Sequence, residues 1–119
     1  MNSQEYWKEV RGLADYICCE AMADNNNDKE AAEEEIFDYR LHETIDSHQW
    51  IIYYGYNLDV IQNSNNADYY QDNFGGDALA ASLKDGGLDT LHCHIAFWAL
   101  YADVADIISE TLDEYAEAA

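Results

Sequence analysis

Proline is absent from the chain, and lysine and arginine together occur only five times in 119 residues. Without proline no helix is kinked or stopped by a missing N–H. The remaining breakers, six glycines and a few asparagine runs, are confined to short stretches, which favours a helical chain. The scarcity of bases has a larger consequence. Against 25 aspartates and glutamates it leaves a formal net charge of −20. Such a charge keeps a protein soluble but repels the compact state from within. Direct binding of nucleic acid is all but excluded, because phosphates would be repelled and no basic patch exists to hold them. Anionic membrane surfaces are disfavoured on the same ground. The three cysteines, Cys18 and Cys19 adjacent and Cys93 apart, make no disulfide framework. No apolar run approaches membrane-spanning length. The opening "MNSQEYWKEV" lacks the basic-then-apolar pattern of a secretory signal, so a cytoplasmic location is expected.

What the chain does contain is material for a core. Apolar residues make up 49%, with 10 Tyr, 3 Trp and 3 Phe, far more than an acidic disordered tail carries. The length suits one domain, 1–119. Ser3 can cap a first helix to about Met22, with Trp7, Val10, Leu13, Ile17 and Ala21 on one stripe. "ADNNND" interrupts it, and Asp28 can cap a second helix to about Ile45, with Phe37, Leu41 and Ile45 as its core stripe and Ile36 beside it. Trp50, Ile51, Tyr54, Leu58 and Ile61 keep helical spacing. The run 50–54 also has strand composition, but no second strand is available to pair with it. Short helices are expected over 67–73 and 77–84, the latter stopped by Gly86-Gly87. A long final helix then runs from about Leu88 to Ala116 on Leu91, Ile95, Trp98, Ala102, Ile108, Leu112 and Tyr115. The expectation is an all-α single-domain bundle of about four to six helices ending in a long C-terminal helix.

Motifs of chemistry are sparse. His92, Cys93 and His94 are metal-ligand types, but residues two apart on a helix diverge, and a zinc site would need ligands such as Cys18 or His48 from elsewhere. Partial burial on the long helix explains them more simply. Residues 24–35 place Asp24, Asn26, Asp28 and Glu35 at positions 1, 3, 5 and 12 of a calcium loop, yet Lys29 stands where the sharp turn needs glycine. No phosphate loop, nucleophile elbow or HExxH is present, so neither an enzyme nor a cofactor is expected.

The charge pattern itself is the strongest signal. Asp103, Asp106, Glu110, Asp113 and Glu117 recur at steps of 3, 4, 3 and 4 on the final helix, and beyond Leu41 the only base is Lys84 against fourteen acids. A solvated face normally interleaves both signs, since like charges four apart destabilise a helix, and acids near a C-terminus oppose the helix dipole. Carboxylates three or four residues apart lie about 5–6 Å from each other, and phosphates along a DNA strand advance by about 3.4 Å along the axis. The scales are close enough for such a row to stand in for phosphates. Glu30, Glu34 and Asp38, flanked by Glu33 and Glu35, form a second row, and Asp68 and Asp72 (with Asp24, Asp28 and Asp77) extend the surface. Helix 1 is partly balanced by Lys8 and Arg11, so the face is expected to avoid it. Tyr69, Tyr70 and Tyr115 are candidate anchors among the acids, with core packing the alternative for Tyr69 and Tyr70.

In whole-chain character the sequence resembles the phage- and mobile-element-encoded DNA-mimic inhibitors, Ocr-like anti-restriction proteins and anti-CRISPR proteins among them. These too are small, strongly acidic, helical and Tyr-bearing. Stretches such as "LHETIDSHQWIIYY" and "LKDGGLDTLH" also look like small accessory proteins of phages and integrated elements. The resemblance lies in composition and architecture, aligns no specific motif, and transfers no functional residue. It implies an inhibitor that occupies the positively charged DNA-binding surface of a host defence complex, a CRISPR effector or a restriction enzyme, and blocks DNA. The alternatives are an acidic adaptor that docks a basic partner without copying DNA, and a calcium-binding protein through 24–35. A homodimer through Trp98 and Tyr101 of the long helix is also compatible with the sequence.

Overall fold

Helix α1 (Ser3–Asp24) is capped by Asn2, whose side chain accepts from the Glu5 N–H at 2.9 Å, so Ser3, the expected cap, becomes the first helical residue. The computed structural model describes residues 1–48, 56–74 and 76–118. Helix α1 is followed by α2 (Lys29–Glu35), a π-helical turn (Ile36–Arg40), α3 (Leu41–Ser47), α4 (Asn57–Asn63), α5 (Ala67–Asn73) and α6 (Gly76–Ala118). No strand occurs among the described residues. The all-α expectation with a long closing helix is met. The readings of 50–54, and of Trp50, Ile51 and Tyr54 as core residues, lie outside the described residues.

Helix α1 buries Tyr6, Val10, Leu13, Ala14, Ile17, Cys18, Ala21 and Met22, a stripe repeating every three or four residues. Its end is made by the asparagine run. Asn26 and Asn27 adopt φ of 56° and 62°, a left-handed conformation that asparagine tolerates better than most residues. The Asn27 N–H then returns to the Met22 carbonyl at 2.8 Å, satisfying a terminal group that would otherwise be orphaned. Asp28 caps α2 through the Ala31 N–H at 3.2 Å, as its sequence position suggests.

The second helical stretch departs from its expected core stripe. In α-helical geometry Phe37, Leu41 and Ile45 would share one face. Instead the Leu41 N–H reaches back five residues to the Ile36 carbonyl, opening one π turn. The extra residue lets Ile36 follow Ala32 onto the buried side while Leu41 and Ile45 still reach it, and all four are fully buried. Phe37 and Tyr39 are pushed to the surface, each 46% exposed.

Helix α6 is interrupted at Gly87, whose φ of 69° and ψ of −151° belong to no helix and suit glycine alone. The arm 76–86 folds back on the start of the arm 88–118, with Ser82 Oγ 2.9 Å from His94 Nδ1. The Gly86-Gly87 stop is therefore where the sequence puts it. Residues 79–118 are long and apolar enough by composition to cross a membrane, although no uninterrupted apolar run suggested this. In the fold that apolar side is the centre of the core. Leu100, Val104, Ile108 and Leu112 are fully buried in one cluster with the α1 stripe, Val60 of α4 and Ala67 of α5.

Candidate functional site

The candidate acidic row on α6 begins at Asp106, three residues later than its spacing suggests. Asp103 is 1% exposed and belongs to the core, which corrects its assignment to a partner-binding face. Two residues distant in sequence cover it: the Tyr6 hydroxyl donates to Oδ2, and Asn66 Nδ2 donates to Oδ1 at 2.6 Å. A buried carboxylate is tolerable when such donors replace the water it loses. Burial, and secondarily the hydrogen bond to Asp103, hold the Tyr6 phenol well above its ordinary pKa.

Beyond Asp103 the helix emerges from under Asn66, and Asp106, Glu110, Asp113 and Glu117 are all exposed. At 3.6 residues per turn they lie within roughly 60° of one another around the axis. The row is not free of compensation, however. Lys29, at the start of α2, pairs with Asp113. On the opposite flank Arg11 and Asp15 of α1 border a groove of about 200 Å³ with Ile107, Glu110, Thr111 and Glu114. The expectation that the acidic face avoids helix 1 thus fails on one side, because α1 is the helix against which the inner face of α6 packs.

The same contacts join the row to the other candidate acids. Lys29 brings the N-terminus of α2 to Asp113, and Glu30, Glu34 and Asp38 follow along α2 and the π turn, all exposed. Asn66 also reaches Asp106 at 3.2 Å and leads directly into α5, where Asp68 and Asp72 are exposed. Nine of the ten candidate carboxylates therefore face solvent, in three groups linked through Lys29 and Asn66. Neither linking residue was a sequence candidate. Their partners lie 84 and 40 positions away in the chain, beyond the reach of helical periodicity.

Among the tyrosines, Tyr69 is exposed and meets the half-buried Tyr70 edge-on at 5.1 Å. Tyr115 is half-buried and donates to the Asp15 carbonyl at 3.3 Å, tying α6 to α1. Trp98 and Tyr101 are in ring contact at 5.4 Å, and Trp98 is also close to His42 and Phe97.

The calcium-like stretch is organised around an arginine. Arg40 Nη2 binds Asp24 at 2.5 Å, and Nε binds Glu35 at 2.6 Å, so the first and last carboxylates of the pattern converge on one guanidinium. Hydrogen bonds from Asn25 and then Arg40 hold the Glu35 carboxyl below its ordinary pKa. In the HCH stretch Cys93 is buried and His94 contacts Ser82. Among the described residues no three His, Cys, Asp or Glu side chains are placed to share a metal ion. Comparison of the chain with protein families, characterised proteins and solved structures gives no significant match.

Proposed function

We propose that the chain is a non-catalytic DNA-mimic inhibitor, which uses its acidic surface to occupy the DNA-binding groove of a host defence complex. The observation that carries this reading is the exposed row of Asp106, Glu110, Asp113 and Glu117, extended by Glu30, Glu34 and Asp38 and by Asp68 and Asp72. Lysines and arginines that grip phosphates can grip carboxylates with the same charge-assisted hydrogen bonds. Long-range attraction from a net charge of −20 would speed the encounter and make affinity fall with salt.

The adaptor reading remains the second choice, favoured by one specific observation. Lys29 neutralises part of the row at Asp113, and Asp103 is withdrawn from it, so the free phosphate-like stretch is shorter than the sequence spacing suggests. Competition separates the two. A basic protein captured from host lysate is saturated with the chain and then offered labelled duplex DNA. Mimicry predicts that DNA is refused, whereas an adaptor leaves DNA binding unchanged.

A further inference from the structure

The π turn leaves Phe37 46% exposed in a groove of about 630 Å³, whose other walls are Lys29, Glu30, Glu33, Glu34 and Asp38. Counted from Glu30, the acids and the ring fall at i, i+3, i+4, i+7 and i+8, a single helical face. Among the described residues Lys29 is the one cation lining the groove, and its ammonium is engaged by Asp113. The groove thus combines four carboxylates with one aromatic face.

A phosphate edge explains the carboxylates but has no use for the phenyl ring. The ring face carries negative potential and attracts a cation lying over it. A guanidinium satisfies both features, because it is planar and can stack on a ring while its edge donates to carboxylates. An ammonium is compact and strongly hydrated, and satisfies the charge alone. On the far side of the Glu34–Asp38 ridge the equally exposed Tyr39 repeats the arrangement, beside a groove of about 320 Å³.

We propose that the groove around Phe37 is an arginine-binding site: it receives an arginine side chain of the basic partner, stacked on Phe37 and bonded by Glu33, Glu34 and Asp38. The site rests on the basic-partner reading and goes beyond it, since it demands a guanidinium rather than any positive charge. It also assigns a purpose to the π turn, which keeps Phe37 out of the core.

Calorimetric titration of the intact chain with an all-arginine and an all-lysine peptide of equal length, at one ionic strength, tests the site. The wild-type chain is expected to prefer the arginine peptide by about fivefold. Phe37→Ala and Phe37→Leu should retain lysine-peptide affinity and lose the preference. Leucine keeps the apolar bulk without the ring face, so it serves if the alanine variant folds poorly. Equal affinities in the wild type, or a preference surviving in the leucine variant, would overturn the site while the basic-partner reading stands. Failure of both peptides to bind would overturn site and reading together. Self-association in sedimentation that Phe37→Ala abolishes would also overturn it, assigning the groove to a second copy.

Discussion

The Tyr6 hydroxyl donates to the Asp103 carboxylate inside the core, joining helices through residues 97 positions apart. Three residues further along the same helix, Asp106 is exposed. Two acids of one repeating pattern therefore do opposite work. Tyr6→Phe strips a donor from a buried carboxylate and is expected to cost about 1–3 kcal/mol of stability. Urea denaturation measures this cost. Partner affinity of the folded variant should not change, and a loss of affinity without a loss of stability would place Asp103 back on the surface.

Alkaline pH should weaken the fold. Burial, and then the nearby Asp15, push the Cys18 thiol up to about 12, from an ordinary 9.0 that the unfolded chain regains. Above pH 9 the unfolded state releases a proton that the folded state retains. Stability is thus full below about pH 9 and declines through about 12, by about 1.4 kcal/mol per pH unit for this one group. The Tyr6 phenol, raised mainly by burial, adds to the decline above 10.0. Urea midpoints measured from pH 8 upward should fall, and Cys18→Ala should flatten the first part of that fall. An unchanged slope in the variant would mean that the Cys18 thiol does not titrate as its burial requires.

Gly87 is the one glycine described with positive φ. A side chain at φ 69°, ψ −151° is strained by about 1–3 kcal/mol. Gly87→Ala should therefore lower the melting temperature. It leaves the exposed row untouched, so affinity measured well below the melting temperature should stay at the wild-type value.

Much of this fold was legible because helical periodicity and breakers coincide. The stripe from Val10 to Ala21, the short helix 67–73 and the Gly86-Gly87 stop all follow from local letters. The π turn was not legible. The letters Ile36 and Phe37 fit the core equally well in α-helical spacing, and only the packing of Ala32, Leu41 and Ile45 chooses between them. The site divides in the same way. Exposure of Asp106, Glu110, Asp113 and Glu117 follows from their position opposite Ile108 and Leu112. Burial of Asp103 depends on Tyr6 and Asn66, and partial neutralisation of Asp113 depends on Lys29, all brought in by tertiary contacts.

Leu112 supplies the control for any loss of function. It is fully buried opposite the acidic row, and Leu112→Ala is expected to cost about 2–5 kcal/mol through the cavity it leaves. Thermal melting should register that cost, whereas neutralising Asp106, Glu110 and Glu117 should leave the melting temperature unchanged or raise it by relieving repulsion.

The proposed mimicry has the exposed carboxylates of α6 compete with DNA phosphates. Its most direct measurement is displacement of labelled duplex DNA from the captured basic partner, comparing the wild-type chain with Asp106→Asn, Glu110→Gln, Asp113→Asn and Glu117→Gln combined. Mimicry predicts that the wild-type chain displaces the DNA and that the folded variant needs about tenfold more protein, or fails. Equal displacement by both chains, or DNA that stays bound while the wild-type chain occupies the partner, would contradict it.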